Sequence, residues 1–219
     1  MLKIQPLVRE IVLGEVEAYT ALTSGYMNMS SYAYRIRAKV EERAQKKATI
    51  TSIVVSLSRL RKEFRKEKPL IQNVAITNIT TKLPLTEIVY ENTAASISRL
   101  ESFHKKVPVS REDFFTTTVG TTELNIICSS HLVPKVEKHF GAKPKLAVKN
   151  LAAVAISFDP ERLNIPNTFF SLISVTARAR INIAEIVSTY TELIFIVAEK
   201  DFSRTVGLFS ELHSKSTEN

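Results

Sequence analysis

One phrase of the sequence recurs, and this recurrence constrains the fold more than any other feature. The segments TELNIICSSHL at 122–132 and TELIFIVAEKDF at 191–202 align when Thr122 is placed on Thr191, and the same shift places Phe140 on Phe209. Self-similarity at a fixed period indicates a duplicated structural unit. Each phrase reads as an apolar strand that runs into the start of a helix, so the repeated unit contains both element types.

The elements around the two phrases follow the same order in each copy. A β-rich stretch at 85–91 or 151–159 precedes an Asn-Thr pair, Asn92–Thr93 or Asn167–Thr168, that is suited to start a helix. A further strand, the Thr-Glu-Leu strand and a final helix come next, and KPKLAVK at 143–149 supplies a closing strand in the first copy. This order predicts a ferredoxin-like βαββαβ unit that occurs twice.

The N-terminal third has helical rather than strand periodicity. Apolar residues recur every three or four positions over 4–22, 33–44 and 50–64, which predicts three helices, the first ending near Gly25. Asn28 or Ser30 is a candidate cap for the second helix and Thr49 for the third. A three-helix unit with a short turn between its second and third helices is the expected result.

The positive charge of the chain is concentrated in this region. Residues 32–68 contain twelve basic and four acidic residues, whereas the remaining residues contain eighteen of each, so the net charge of +8 belongs to this segment. The charge distribution predicts a boundary near Pro69.

The basic segment at 29–64 resembles the winged-helix DNA-binding domains of prokaryotic regulators. In such a domain, small polar residues near the start of the recognition helix approach base edges, and arginine and lysine contact phosphates. The residues predicted to contact DNA are Arg35, Arg37, Thr51, Ser52, Ser56, Arg59, Lys62 and Lys66, with Ser52, Ser56 and the last three on the outward face of the third helix. A solvated helix bundle or a protein-docking element explains the same charge, because exposed helix faces of basic proteins are commonly charged.

The second copy resembles the ACT domain, an amino-acid-binding regulatory module, and most closely the tandem pair at the C-terminus of aspartate kinases. The residues that carry the resemblance are Ile181, Asn182 and Ile183 after the helix, the Thr191–Glu192 pair that opens the next strand, and Asp201 at the start of the last helix. The resemblance extends over about 70–219, although the first copy has no counterpart of Ile-Asn-Ile. It implies an amino acid effector and side-by-side association of sheets in a homodimer or higher homo-oligomer; we expect no cofactor.

An amino acid ligand requires backbone N–H groups for its carboxylate and oxygen acceptors for its ammonium group. The ligand residues that the resemblance implies are Asn164, Ile165, Asn167, Thr168, Asn182, Ile183, Thr191 and Glu192. Asn167 and Thr168 are equally interpreted as caps of the helix, and Glu192 as a solvated residue or a partner of Arg178. The first copy, whose loop is shorter, is also interpreted as purely structural.

No catalytic or metal-binding pattern accompanies these elements. The five glycines are scattered, and the four histidines and three aspartates are not spaced as metal ligands, so we expect no enzymatic activity. Cys128 lies in the apolar run LNIICS, which favours a buried thiol over a nucleophile. The N-terminus has no apolar leader, and no uncharged apolar run is long enough to span a membrane. These features predict a cytoplasmic protein.

The sequence therefore predicts an α+β protein that consists of a three-helix, helix-turn-helix (winged-helix) domain and two ferredoxin-like βαββαβ ACT-type repeats. The predicted boundaries are 1–68, 69–150 with wing strands at 70–84, and 151–219. The predicted function is an amino-acid-responsive transcription regulator that binds double-stranded DNA as a homodimer. The alternative is a non-catalytic regulatory subunit that binds an amino acid and docks on a biosynthetic enzyme such as an aspartate kinase.

Overall fold

A computed structural model describes residues 3–67, 70–71, 74–161 and 165–217. The chain divides into two compact units, a helical unit at Met1–Gln72 and a sheet unit at Asn73–Asn219. The unit border thus falls a few residues after the boundary that the charge distribution predicts. Among the described residues, no helix combines the length and the apolar character needed to cross a bilayer.

The helical unit contains four described helices: α1 (Ile4–Leu13), α2 (Val16–Ser24), α3 (Met29–Ala44) and α4 (Ile50–Phe64). Each helix packs one apolar face into a shared core. The core residues from the four helices include Val8, Ile11, Leu22, Ile36, Val40, Ile53, Leu57, Leu60 and Phe64. Burial of these stripes fixes the packing of the helices, since short helices gain most of their stability from tertiary contacts.

The prediction of a single helix over 4–22 is wrong. The helix stops at Leu13 with Gly14 as its C-cap, and Glu15 has an extended backbone, with φ −126° and ψ 102°, before α2 begins. The Glu15 carboxylate accepts a hydrogen bond from the Tyr32 hydroxyl at 3.2 Å and pairs with Arg35. These contacts with α3 stabilise a break that the apolar spacing does not reveal.

The predicted end at Gly25 and the predicted starts of the two helices that follow are confirmed. Gly25 ends α2 in a left-handed conformation, with φ 86°, which glycine adopts without steric cost. The Asn28 side chain accepts from the Ser31 N–H, and the Thr49 side chain accepts from the Ser52 N–H. Each cap satisfies an N–H group that the first turn of a helix leaves unpaired.

The sheet unit contains six described strands and four described helices. The strands are β1 (Ile76–Glu91), β2 (Phe115–Val119), β3 (Glu123–Ser129), β4 (Leu146–Phe158), β5 (Ile183–Ser188) and β6 (Glu192–Ala198). The helices are α5 (Ala94–Lys106), α6 (Val133–Phe140), α7 (Thr168–Arg178) and α8 (Phe202–Thr217). The shift that places Thr122 on Thr191 also superposes the limits of β3 on those of β6 and the first residue of α6 on that of α8. The duplication detected in the sequence is therefore a duplication of structure.

The two repeats share one antiparallel sheet, with the strand order β2-β3-β1-β4-β6-β5. The C-terminal half of β1 pairs with β3 and with residues 146–148 of β4, which confirms the closing strand predicted for the first copy. The N-terminal half of β1 pairs with the rest of β4, for example Ile79 with Ile156. The first half of β1 therefore closes the second repeat.

This pairing corrects the prediction of a wing at 70–84. Residues 76–84 belong to β1 and pair within the central sheet. The error has a physical cause, because alternation along a strand identifies its two faces but not the strand that it pairs with.

The sheet curls strongly. The Asn125 amide on β3 donates to the Glu185 carboxylate on β5 at 3.4 Å, although three strands lie between them in the sheet order. Four steps in a flat sheet would separate these strands by roughly 19 Å. The register shifts in β1 and β4 lie near the middle of the sheet, where bulges increase bending and twist.

The two faces of the curled sheet have different neighbours. On the inner face a buried cluster includes Leu85, Ile127, Leu151, Ala153 and Ile196. The other face packs against helices: α5 and α6 cover the residues around Ile88 and Ile126, and α7 and α8 cover those around Val154 and Phe195. Strand alternation thus gives the sheet unit separate apolar layers.

Candidate functional site

The start of α7 borders a cavity within the predicted ligand region. A cavity of about 390 Å³ is lined by residues 165–170. Asn167, the residue before α7, has a left-handed backbone with φ 70°, and its side chain does not cap the helix. Asn164 lies outside the described residues, and Ile165 lines the cavity. The interpretation of Asn167 as a side-chain cap is therefore wrong.

Thr168 has a structural contact at the same helix start. It is buried, and its hydroxyl donates to the Ile165 carbonyl at 2.9 Å. Phe169 and Phe170 are 40% and 37% exposed beside it. The exposed side chains at the cavity are therefore the two aromatic rings, whereas the Thr168 hydroxyl is already paired.

The Thr191–Glu192 pair lies at the same end of the sheet as the start of α7. The Thr191 carbonyl accepts from the Phe158 N–H at 3.1 Å, at the end of β4. The half-buried Glu192 carboxylate accepts from the Ser157 hydroxyl at 3.4 Å, whereas Arg178 donates to the Ser174 hydroxyl. Glu192 is thus a weakly engaged acceptor near the end of β4.

Asn182 and Ile183 lie at the other end of the β5–β6 hairpin. Ile183 pairs with Val197, five residues along β6 from Glu192. Five residues of extended strand span about 17 Å. Within one repeat, the structure therefore brings Asn167 and Thr191–Glu192 to one end and leaves Asn182 and Ile183 at the opposite end.

The corresponding region of the first repeat is held together by internal contacts. The Thr93 side chain forms a capping box with Ser96 at the start of α5, and the Asn92 amide donates to the Gly120 carbonyl at 2.6 Å. Glu123, the counterpart of Glu192, forms an ion pair with Lys145. Asn92, Thr93 and Glu123, the first-repeat counterparts of Asn167, Thr168 and Glu192, thus already have partners within the first repeat.

A second cavity, of about 400 Å³, opens on the helix side of the first repeat. Its lining includes Tyr90, Arg99, Phe140 and Lys143. Sequence reasoning assigned no role to these residues. Because they come from β1, α5, α6 and the segment before β4, no spacing pattern in the sequence indicates that they meet.

The arginines predicted to contact DNA from α3 are engaged within the helical unit. Arg35 pairs with Glu15 and lies over the Tyr32 ring, 4.7 Å from its centroid. Arg37 pairs with Glu41 at 3.1 Å. A phosphate would have to compete with these carboxylates for the two guanidinium groups.

The predicted outward face of α4 is only partly correct. Thr51 is exposed and Ser52 is half-buried, but Ser56 is only 6% exposed and its hydroxyl donates to the Ser52 carbonyl at 2.9 Å. The prediction that Ser56 faces outward is wrong, because a serine that bonds its own helix backbone can be accommodated beside an apolar stripe.

Three basic side chains in the second half of α4 and just beyond it were predicted to face outward. Arg59, Lys62 and Lys66 are exposed. Within the described ranges none of the three forms an ion pair. They form a basic surface at the C-terminal end of α4.

Cys128 is buried on β3, as the sequence predicts. Burial raises the pKa of its thiol to about 12, with a smaller contribution from Asp113. The neutral thiol therefore predominates at neutral pH. In the part of the chain that the structure describes, no group of three or more His, Cys, Asp or Glu residues is arranged to hold a metal ion.

Comparison with known proteins gives structural matches only. No protein family and no curated protein matches the sequence. Aspartate kinase from Clostridium acetobutylicum is 18% identical with a TM-score of 0.54, and the match covers 68% of this chain and 36% of the kinase. The ligand-free regulatory subunit of aspartate kinase from Thermus thermophilus is 10% identical with a TM-score of 0.51, and the match covers 63% of this chain and 99% of the subunit.

Aspartate kinase from Synechocystis is a further match, with 12% identity and a TM-score of 0.51, over 68% of this chain and 29% of the kinase. These similarities confirm the ACT-type fold predicted for the repeats. The chain spans only about a third of the length of the kinases that it matches. The winged-helix resemblance of the N-terminal region stays a prediction.

Proposed function

We propose that this chain is a non-catalytic regulatory protein in which the ACT-type sheet unit binds an amino acid and the helical unit transmits the response. The observation that carries the proposal is the fold, which this unit shares with the regulatory subunit of Thermus thermophilus aspartate kinase over nearly the whole of that subunit. The open cavity at the start of α7 supports a ligand at the second repeat.

The ligand chemistry follows from the ends of the elements around this cavity. The start of α7 carries the positive end of the helix dipole, which favours the carboxylate of an amino acid. Glu192, which has only a weak contact with Ser157, supplies an acceptor for the ammonium group. Residues 165–167 form the intervening wall.

A second copy of the chain completes this proposed site. Asn182 and Ile183 lie at the far end of the β5–β6 hairpin, so they do not reach the α7 cavity of their own repeat. Side-by-side pairing of two sheets in a homodimer places one copy's β5 end near the other copy's ligand. Isologous contacts of this kind are the usual basis of symmetric dimers.

The favoured output is docking on a biosynthetic enzyme. A matched structure is itself a regulatory subunit. Two of the arginines that the DNA hypothesis requires are already paired with Glu15 and Glu41. The helical unit is then a protein-docking element whose affinity depends on the bound amino acid, with a coupling of about 1 to 3 kcal/mol as is typical of allosteric systems.

DNA binding is the second candidate output, and the basic surface on α4 favours it. Arg59, Lys62 and Lys66 are exposed, so their charges are accessible to phosphates. Both outputs require the effector to bind two states of the protein with different affinity.

A thermal-shift panel of the twenty amino acids tests the ligand proposal. A ligand at 100 times its dissociation constant stabilises the folded protein by about 2.7 kcal/mol. We expect Glu192→Gln to abolish the shift and Glu123→Gln, the matched change in the first repeat, to preserve it. A flat panel on the wild-type protein would refute amino acid regulation.

Fluorescence polarisation with random duplex DNA separates the two outputs. If DNA is the partner, affinity decreases steeply with salt because phosphate contacts release counterions, and Arg59→Ala with Lys62→Ala weakens binding without unfolding the protein. Lys149→Ala, an exposed change in the sheet unit, is the control. No binding at low salt leaves docking on an enzyme as the output, to be tested by co-purification with a candidate biosynthetic enzyme.

A further inference from the structure

The two helices of the first repeat border a groove of about 490 Å³, which we call the α5–α6 groove. Its walls are α6 and the part of the chain from Arg99 to the end of α5 and the next residue. Lys106, Lys135 and Lys138 are exposed along it, so the groove opens to solvent. Arg99 also borders the cavity beside Tyr90, but the two linings share no other residue. The groove is therefore a separate surface, away from the start of α5.

The charged residues that line the α5–α6 groove are all basic. They are Arg99, Lys106, Lys135 and Lys138. Within the described residues none of the four forms an ion pair. The acidic residues of the same helices, Glu101 and Glu137, each follow a basic lining residue by two positions, which is about 200° around a helix. Both carboxylates thus lie on other faces, and Glu137 raises the pKa of Tyr90 from its own side of α6.

The helix dipoles contribute little to the charge of the groove. Lys106 is the last residue of α5, and Lys135 lies in the first turn of α6. Because both line the groove, the negative end of one helix dipole lies near the positive end of the other, and the two contributions offset each other. The positive potential therefore comes from the four side chains.

The matching helix pair of the second repeat shows that packing does not require a basic lining. Between α7 and α8 a groove of about 320 Å³ has a mainly apolar lining with one cation, Arg178, and one carboxylate, Glu211. The shift that superposes β3 on β6 places Lys138 on Gly207. Outside residues 32–68 the chain has equal numbers of acidic and basic residues, so general basicity does not explain four cations in one groove.

Hydrogen bonds between α5 and α6 hold the groove in shape. The His139 Nε2 atom lies 3.0 Å from the Ser102 hydroxyl oxygen and 2.9 Å from the Arg99 carbonyl oxygen. The Ser102 hydroxyl also donates to that carbonyl, at 3.0 Å. The His139 ring packs edge-on against Phe103, with centroids 5.4 Å apart. A surface that is already formed binds with a smaller ordering cost.

The spacing of the cations fits an extended acidic chain. Arg99 and Lys106 are seven residues apart on α5, which corresponds to about 10 Å along the helix axis. An extended peptide rises about 3.3 Å per residue, so roughly four of its residues span this distance. Because alternate side chains of such a peptide point the same way, a run of Asp or Glu residues presents several carboxylates to one groove.

Nucleic acid fits this surface less well. A DNA duplex is read by elements that project into its grooves, whereas this surface is itself concave. Single-stranded nucleic acid is bound by aromatic side chains on which its bases stack. Within the described residues, the one aromatic lining residue is His139, and it is engaged with Ser102 and Phe103 between the helices.

We propose that the α5–α6 groove docks an acidic segment of a partner protein, whose carboxylates pair with Arg99, Lys106, Lys135 and Lys138. Attraction between such charges accelerates association and is weakened by salt. The proposal goes beyond amino acid binding at α7, because the groove belongs to the other repeat and needs no small ligand.

Fluorescence polarisation of the full chain with fluorescein-labelled hexaglutamate tests this proposal, and labelled hexaglutamine is the uncharged control. We expect hexaglutamate alone to bind at low salt, and we expect its affinity to decrease as salt is added. Lys135→Gln with Lys138→Gln should weaken hexaglutamate binding about tenfold through the loss of two exposed ion pairs. Lys135→Arg with Lys138→Arg keeps both charges and should keep the wild-type affinity.

Two matched pairs remove the same charge elsewhere and should leave the affinity nearly unchanged. Lys105→Gln with Lys149→Gln changes exposed residues of the sheet unit that do not line the groove. Arg59→Gln with Lys62→Gln changes the basic surface of α4. Equal weakening by all three glutamine pairs would show attraction to net charge only, and weakening by the α4 pair alone would assign the peptide to α4. Either outcome overturns the proposal.

Two further outcomes would also overturn it. The first is failure of hexaglutamate to bind the wild-type protein at low salt. The second is displacement of hexaglutamate by random duplex DNA that itself binds more tightly and loses affinity in the Lys135→Gln, Lys138→Gln variant, since the groove would then be a nucleic acid surface. The assay contains no amino acid effector, so failure of the amino acid proposal leaves its result unaffected.

Discussion

The two repeats of the sheet unit have matching strands but different helix starts. Strands β3 and β6 occupy equivalent places in the two halves of the sheet, and Phe140 and Phe209 pack under them from equivalent helices. At the first helix of each repeat, Thr93 caps α5 with a capping box, whereas Asn167 precedes α7 in a left-handed conformation without a side-chain cap. The comparison shows that duplication preserved the packed interior, and the loops that border the cavities diverged.

The largest effects test whether the two cores are equivalent. Phe140 and Phe209 are 1% and 0% exposed, so Phe140→Ala and Phe209→Ala should each lower the free energy of unfolding by about 3 to 5 kcal/mol through lost burial and a cavity. Urea unfolding followed by circular dichroism measures both. A large cost at one position and a negligible cost at the other would show that the repeats are not equivalent in packing.

A smaller effect is expected at Cys128, because its counterpart in the second repeat is Val197. Cys128→Val, which places the second repeat's residue in the first, should change the free energy of unfolding by less than about 1.5 kcal/mol, since cores tolerate apolar changes of similar volume. A greater loss would mean that the layer under β3 is shaped differently from that under β6.

The thiol itself supplies a second measurement for the same position. Because burial raises the Cys128 pKa to about 12, a thiol reagent should label the native protein slowly even at pH 9, and labelling should accelerate in urea. Rapid labelling of the native protein would indicate that β3 is accessible.

The helix starts should respond to different substitutions. Thr93→Ala should cost about 1 kcal/mol through loss of the cap, and Thr93→Ser should restore most of it. Asn167→Ala should cost a similar amount, because alanine is strained at φ 70°, whereas Asn167→Gly should be nearly neutral. Thermal unfolding of the four variants measures the contrast, and equal behaviour of the two substitutions at position 167 would contradict it.

The smallest effect concerns the ion pair that joins Glu123 to Lys145 in the first repeat. Glu123 holds Lys145 by a hydrogen bond and charge attraction that raise the pKa of Lys145. The ion pair therefore contributes to the free energy of unfolding at pH values below the ordinary lysine pKa. This contribution is lost as the pH rises through the raised pKa of Lys145. Glu123→Gln should lower Tm slightly at low salt and not at all at high salt, whereas Glu192→Gln should lower it in neither condition.

Local sequence patterns predicted much of this structure. The apolar runs in 122–132 and 191–202 predicted β3 and β6, and the candidate caps Asn28 or Ser30 and Thr49 predicted where α3 and α4 begin. These features depend on residues within a few positions of one another. The break at Gly14 and the burial of Ser56 were missed, because each depends on how the surrounding helix packs.

The candidate sites were less predictable than the fold. The resemblance grouped Asn182 with Glu192, but the hairpin places them about 17 Å apart along β6. The cavity beside Tyr90 was not foreseen, since Arg99 and Lys143 approach each other only after α5 and α6 pack on the sheet. A binding site collects residues that are distant in sequence, and spacing alone does not reveal such a collection.

The sequence by itself determined that the chain has a basic helical part and a duplicated α+β part, because charge, helical periodicity and the recurrence of the Thr-Glu-Leu phrase can be read directly from the order of the residues. Only the tertiary structure decided that β1 and β4 are shared between the repeats, that the sheet curls until Asn125 reaches Glu185, and that Tyr90, Arg99 and Phe140 line one cavity. The physical reason is that strand pairing and cavity formation depend on contacts between residues that are distant in sequence. The residues along one strand or helix do not determine which other elements it will pack against.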